Sequence, residues 1–260
     1  MIAFAHKPGL VAYLTCGDPD LSTSRSVALG AIDAGADVIE LGVPFSDPVA
    51  DGPVIQRASE RALKSGTSLN DVIALGAEIR QLRPRAGLIM FTYLNPVLRL
   101  GIKAFVQKLV SSGIDGALIT DLTIDEAGDY IEKMRAHNLA TIFLAAPTST
   151  DQRLKAIAET SRGFIYAVSR TGITGEQKQV ALDAAELVTR IRRFSALPIA
   201  VGFGISNAEQ FQKVGEFADA AAIGSAIVSI IEKHGADSAE PVAKFIGGLR
   251  SERSAAQAKR

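Results

Sequence analysis

Three short stretches share one pattern: AGADVIELG at 34–42, SGIDGALIT at 112–120 and GEFADAAAIG at 215–224. In each, a glycine closes a helical pattern, an aspartate follows, and the chain runs into an apolar strand. A glycine just past a helix can take the left-handed conformation that stops it. The stretches therefore predict one helix-to-strand joint used three times, with Gly35, Gly113 and Gly215 as the stops. Working outward, eight apolar runs read as strands: Leu10–Thr15, Val38–Leu41, Leu88–Tyr93, Ala117–Thr120, Thr141–Ala145, Phe164–Val168, Ile199–Val201 and Ala220–Ile223. Each is short and nearly continuous, as strands covered on both faces are. Apolar residues at helical spacing fill the intervals at Ser26–Ala34, Leu69–Leu82, Ile102–Val110, Ala127–Ala136, Arg153–Glu159, Leu182–Ile191 and Ala208–Val214. Ser206 with Glu209, Thr123 with Glu126 and Ser149 with Gln152 read as capping boxes. Eight strand–helix units imply a parallel sheet, and eight is the number that closes into a (β/α)8 TIM barrel; a doubly wound open sheet is the competing fold.

The bulk numbers agree with one domain. The chain has 260 residues, 47% of them hydrophobic, and no linker or charge block divides it. Residues 1–250 read as the barrel and SERSAAQAKR at 251–260 as a frayed helical tail. Twenty-eight basic residues balance 28 acidic ones, which argues against a nucleic-acid partner. No apolar run reaches the roughly 18 residues of a membrane span. The segment MIAFAHKPG lacks a signal peptide's apolar core, and one cysteine, Cys16, suits a reducing compartment. A cytoplasmic location is expected, with Cys16 read as a small buried apolar residue.

Barrel enzymes build their sites from the loops that follow the strands. After the last three strands come SRTGITG at 169–175, GFG at 202–204 and GS at 224–225, the last opening a helix. Glycine lets backbone N–H groups approach an anion, and a helix N-terminus adds its dipole. Together they read as a phosphate cradle; ordinary turn glycines are the competing reading. None of the three histidines, His6, His137 and His234, follows a strand, so proton transfer falls to carboxylates or tyrosines and no metal site is expected. Glu40 stands out: strand alternation puts Val38, Glu40 and Gly42 on one face, and a Glu at a barrel mouth among apolar neighbours would have a raised pKa. A buried Glu paired with Lys or Arg is the alternative. Asp51 precedes Gly52-Pro53 and reads equally as helix-start chemistry or as function, and Asp121, ending the fourth strand, as capping or function.

The stretch ELGVPFSDPVADGPVIQRA at 40–58 resembles the α subunit of tryptophan synthase, and the likeness extends along nearly the whole chain through TCGDP at 15–19, YLNP at 93–96, SRTGITG, GFGIS at 202–206 and GSAIV at 224–228. The resemblance implies a (β/α)8 barrel that cleaves indole-3-glycerol phosphate to indole and glyceraldehyde 3-phosphate by a retro-aldol reaction. It implies no cofactor in this chain, and a β subunit that uses pyridoxal phosphate to join indole to serine, in an α2β2 heterotetramer. It implies Glu40 as the proton-transfer group, Asp51 as the partner of the indole N–H, and Gly175, Gly204, Gly224 and Ser225 as the phosphate site. Tyr166 and Tyr13 match aromatic residues of the substrate pocket, and Thr174 a threonine that meets Asp51 when two loops close. Asp47–Pro48 and Asn95–Pro96 match the face that docks the β subunit. Members usually begin with a helix that plugs the barrel's bottom, but nine residues precede Leu10, so bottom closure is expected to differ. DLT at 121–123 replaces the DLP or DVP of many members. A stand-alone lyase, a mainly allosteric binding subunit and an unrelated phosphate-binding isomerase are the competing functions.

Overall fold

A computed structural model describes residues 2–168, 177–202 and 204–257. The first quarter of the barrel runs β1 (Gly9–Thr15), α1 (Leu21–Asp33), β2 (Val38–Gly42), α2 (Pro53–Lys64) and α3 (Leu69–Leu82). Next come β3 (Gly87–Thr92), α4 (Leu94–Leu100), α5 (Ile102–Ser111), β4 (Gly116–Ile119) and α6 (Gly128–Ala136). The third part holds β5 (Ala140–Ile142), β6 (Leu144–Ala145), α7 (Asp151–Thr160), β7 (Ile165–Val168) and α8 (Gln177–Arg192). The last comprises β8 (Ile199–Gly202), α9 (Ala208–Phe217), β9 (Ala220–Ile223), α10 (Ser225–His234) and α11 (Ala239–Gln257). All strand pairs are parallel, in the order β5-β4-β3-β2-β1-β9-β8-β7-β6.

The expected run at 141–145 is two pieces, β5 and β6, parted at Phe143. There the chain passes from pairing with β4 to pairing with β7, and the Phe143 carbonyl accepts from Tyr166 N–H at 3.2 Å. The two pieces are one position of the ring, so eight positions close the TIM barrel.

Two apolar layers result. Between strands and helices lies the larger core, with Leu10, Leu14, Ile39, Leu41, Leu88, Phe105 and Phe211 fully buried. Inside the ring lies a second cluster that includes Val11, Val38, Ile89, Leu118, Phe164 and Ala220. Ile2 belongs to it, and Phe4 packs against it with its ring 5.9 Å from that of Phe164, edge to face. Two side chains of the N-terminal segment thus fill the barrel's bottom, where family members usually place a plugging helix, so bottom closure differs as expected.

The joints work as a repeated clamp. Asp37, Asp115 and Asp219 each donate their backbone N–H to the carbonyl of Leu10, Leu88 and Ile199 in the adjacent strand. Each carboxylate then accepts that same residue's N–H, at 2.7, 2.9 and 2.8 Å. An arginine holds each aspartate from outside: Arg250, Arg80 and Arg192.

Several local expectations shift. Gly35 and Gly113 do stop α1 and α5, with φ of +109° and +66°. Gly215 lies inside α9 instead, because the helix runs on to Phe217; a Cβ there would stand 2.6 Å from Pro8 Cδ. The α9 cap is Asn207, which accepts from Gln210 N–H, and the α7 cap is Thr150, one residue past Ser149. Thr123 and Glu126 bond each other in a turn ahead of α6, whose cap is Ala127. Ser68 with Asp71 forms a capping box, at the start of α3. Helix α1 begins earlier than the spacing suggested, because Asp20 caps Thr23 N–H at 2.7 Å. The tail is helical through Gln257 as part of α11.

Candidate active site

Glu40 sits on β2 between Tyr13 of β1 and Ile89 of β3. It is fully buried, and neither carboxylate oxygen has a hydrogen-bond partner among the described residues. The buried ion pair that sequence left open is therefore not found among the described residues. Burial raises the Glu40 carboxyl to about 8, with no cation or donor among the described residues to offset the loss of water.

Asp51 lies in the loop before α2. The helix cap is Gly52, with no side-chain cap bond and with Pro53 at the first turn, so the helix-start reading of Asp51 fails. Its carboxylate instead accepts the Tyr93 hydroxyl at 3.0 Å, and that hydroxyl accepts Ala50 N–H at 3.0 Å. Burial raises Asp51 to about 6, opposed by the bond from Tyr93. The loop is further pinned by Gln56, whose side-chain amide donates to the Asp51 carbonyl at 2.8 Å. Phe45 stacks on the Tyr93 ring with centroids 5.0 Å apart. Tyr93 and Phe45 were not singled out from sequence; the detectable signal for Tyr93 was its position at the C-terminal end of a barrel strand.

Two tyrosines lie near both carboxylates. Tyr13 is buried edge to face against Phe91 at 5.0 Å, its hydroxyl 3.3 Å from Thr15 Oγ1. Room for it comes from two glycines: a Cβ on Gly42 would lie 2.5 Å from its hydroxyl, and one on Gly224 3.3 Å from its ring. Tyr166 rests over Gly202 in the same way, at 2.8 Å. Both phenols are pushed well above their ordinary pKa, chiefly by burial and then by nearby carboxylates, Asp51 first for Tyr13 and Glu40 first for Tyr166. All four groups thus share one interior.

Gly202 and Gly224, from two of the three glycine turns, pack against these tyrosines. Gly224 caps α10 and the exposed Ser225 is its first residue; no side chain caps this end. Gly204 is exposed with φ +40°. A helix N-terminus without a side-chain cap presents backbone N–H groups and the positive end of its dipole, which favour a bound anion. Thr174 and Gly175 lie outside the described residues. Asp121 is structural: it accepts Leu94 N–H at 2.7 Å and so caps α4 from the adjoining loop. Cys16 is buried, and burial raises its thiol far above the usual range. Among the described residues no cluster of three His, Cys, Asp or Glu is placed to hold a metal, and no helix is long and apolar enough to cross a membrane. Asp47, Asn95 and Pro96 line one groove of about 890 Å³ with Phe45, Leu69 and Leu98.

Fold and site together define a (β/α)8 barrel with a buried, unpartnered carboxyl at Glu40, a second, partly buried carboxylate at Asp51 held by Tyr93, and a helix N-terminus at Gly224 that no side chain caps. Residues 3–257 match the sequence profile of the family described as tryptophan synthase alpha chain. The tryptophan synthase alpha chain of Solibacter usitatus is 47% identical over 229 residues, covering 88% of this chain and 85% of the relative. That of Neisseria meningitidis is 41% identical over 251 residues, covering 95% and 96%. A chain of the tryptophan synthase complex from Pyrococcus furiosus superposes with a TM-score of 0.85 at 37% identity, covering 94% and 98%. One from M. tuberculosis tryptophan synthase gives 0.85 at 36%, covering 94% and 93%. The chain belongs to the tryptophan synthase alpha chain family.

Proposed function

We propose that this chain cleaves indole-3-glycerol phosphate to indole and glyceraldehyde 3-phosphate, with Glu40 and Asp51 as its two catalytic carboxylates. The observation that carries the assignment is Glu40: a buried carboxyl with no partner among the described residues, raised to about 8, on the inward face of a barrel strand. A group poised near neutrality both gives and takes a proton. Protonated Glu40 delivers its proton to indole C3, and the ring nitrogen takes up positive charge. The Asp51 carboxylate accepts the ring N–H and stabilises that charge where it develops. The Glu40 carboxylate then takes the proton of the hydroxyl on the carbon attached to C3. The C3–carbon bond breaks, its electrons restore the indole, and the carbon leaves as an aldehyde. Glu40 ends protonated, so the cycle closes with no redox partner. Gly204, Gly224 and Ser225, with Gly175, take the phosphate; Tyr13 and Tyr166 wall the indole; Thr174 meets Asp51 on closure.

The same reading makes the chain the α subunit of an α2β2 heterotetramer in the cytoplasm. Pyridoxal phosphate then belongs to the β partner and this chain has no cofactor. The groove at Asp47, Asn95 and Pro96, with Val49 and Leu98 largely exposed beside it, supports a docking face there. Indole release from indole-3-glycerol phosphate tests this, first by the chain alone and then with a tryptophan synthase β subunit. Slow release that rises strongly with the partner is expected. Fast release indifferent to the partner would mean a stand-alone lyase, and none in either case would defeat the assignment.

A further inference from the structure

Helix α2 follows the Asp51 loop, yet its packing is slight: its buried residues are Ala58, Ser59 and Ala62. Small side chains bury little area and interlock weakly, so apolar contact alone fixes the helix poorly along its axis. Four charged side chains supply what packing does not. Arg57 and Arg61, one turn apart on α2, share a face. Arg57 grips Glu232 of α10 through two bonds of 2.8 Å, and Arg61 reaches the same carboxylate at 2.9 Å. Arg61 also forks onto Asp18, in the loop after β1, at 2.7 and 2.8 Å. Asp18 is 1% exposed, so Arg61 is the cation that offsets its burial. Arg57 first, and then Arg61, hold Glu232 down to about 2. Bidentate forks of this kind constrain geometry as well as charge.

The two helices joined here are the two that flank Tyr13. Ala58 of α2 and Val228 of α10 pack on its ring, with Val54 and Ile55 beside them. One helix follows Asp51, and the other begins at Gly224–Ser225. We infer that Arg57, Arg61, Glu232 and Asp18 are positioning residues: they hold α2 in register with α10, and so set Asp51 against a substrate whose phosphate is seated at the α10 N-terminus. This rests on the proposed function for the roles of Asp51 and Gly224–Ser225. Helix α10 is otherwise anchored by Ile227, Val228 and Ile231 in the barrel's core, so loosening the clamp moves α2 and leaves the phosphate end in place.

Glu232→Gln in the full chain tests this. Its residue is a third exposed, and the amide keeps the shape while removing the charge both arginines hold. Misplacement of a catalytic group by even an ångström is costly, so kcat for indole release should fall about tenfold. Binding of glycerol 3-phosphate, which reports the α10 end alone, should stay within about twofold. Arg57→Met should do the same more weakly, and the double variant should lose less than the product of the two. Hydrogen exchange gives a readout independent of activity: amides of residues 56–64 should exchange faster in Glu232→Gln, while those of β1 and β9 hold. Unchanged exchange at 56–64, or a lowered melting temperature with kcat intact at 25 °C, would overturn the clamp. An unsubstituted chain that releases no indole would defeat the function instead, and the exchange result would still decide the clamp.

Discussion

Glu40 is expensive to keep. Its folded carboxyl is raised from 4.5 to about 8, so the folded chain holds the proton more tightly than the unfolded one. The stability this gives is whole below about pH 4.5 and lost as pH rises through about 8, on the order of a few kcal/mol. Asp51, raised from 3.8 to about 6, acts in the same direction over a lower window. Glu40→Gln removes the larger part, so its melting temperature should fall less between pH 5 and 9 than that of the unsubstituted chain, while indole release drops by about 10²-fold or more. A variant with near-normal activity would refute the assignment. The same values set a rate profile: the reaction needs Asp51 ionised and Glu40 protonated, so kcat/KM should be bell-shaped with limbs near pH 6 and 8. Tyr93→Phe removes the bond that lowers Asp51. The acid limb should then move upward, with kcat/KM falling several-fold at pH 6 and less at pH 8; a limb that stays put would detach it from Asp51.

At the scale of elements, the recurring joint was the part of the fold most legible in the sequence. Its glycine, aspartate and apolar run are local signals, and β9 begins and ends where the pattern says. The bond each aspartate makes to the next strand was not legible, because Arg80, Arg192 and Arg250 reach it from remote positions. Asp115→Ala should therefore cost about 1–3 kcal/mol, since it leaves Leu88 N–H and the Arg80 guanidinium short of a partner. A urea titration should show a lower midpoint with an unchanged slope. Helix α2 escaped periodicity because its buried face is only small residues, and Gly215 misled because a glycine kept for close approach to Pro8 looks like a helix stop. The site divides in the same way. The placement of Glu40 on the inward face of β2 could be read from strand alternation alone. The surroundings of Asp51 could not, since spacing allowed a cap as readily and its contact with Tyr93 spans 42 positions.

Across the whole molecule the two ends of the barrel carry different loads. The end where strands finish holds Glu40, Asp51, the tyrosines and the α10 N-terminus. The end where they begin holds Ile2, Phe4, the three aspartate joints and Arg250, which bonds the Pro8 and Gly35 carbonyls and lies 5.5 Å from the Phe211 ring centre. Conserving shape at that lower end is a matter of stability, and chemistry belongs to the upper one. Phe4→Ala separates them. The ring packs on the interior cluster and fills the space over Gly9, where an added Cβ would stand 2.3 Å from Phe4 Cδ1. Its loss opens the bottom layer and should cost about 2–4 kcal/mol, somewhat below a fully buried Phe because the side chain is partly exposed. Below the melting transition, kcat and KM for indole release should stay near their unsubstituted values, since Val11 and Val38, one inward-facing step before Tyr13 and Glu40 on their strands, lie between the plug and Glu40. Glu40→Gln should do the reverse, keeping the fold and losing the reaction. If Phe4→Ala lowered kcat at 25 °C as strongly as it lowered the melting temperature, the barrel interior would be transmitting the bottom's packing to the site, and the two ends would not be independent.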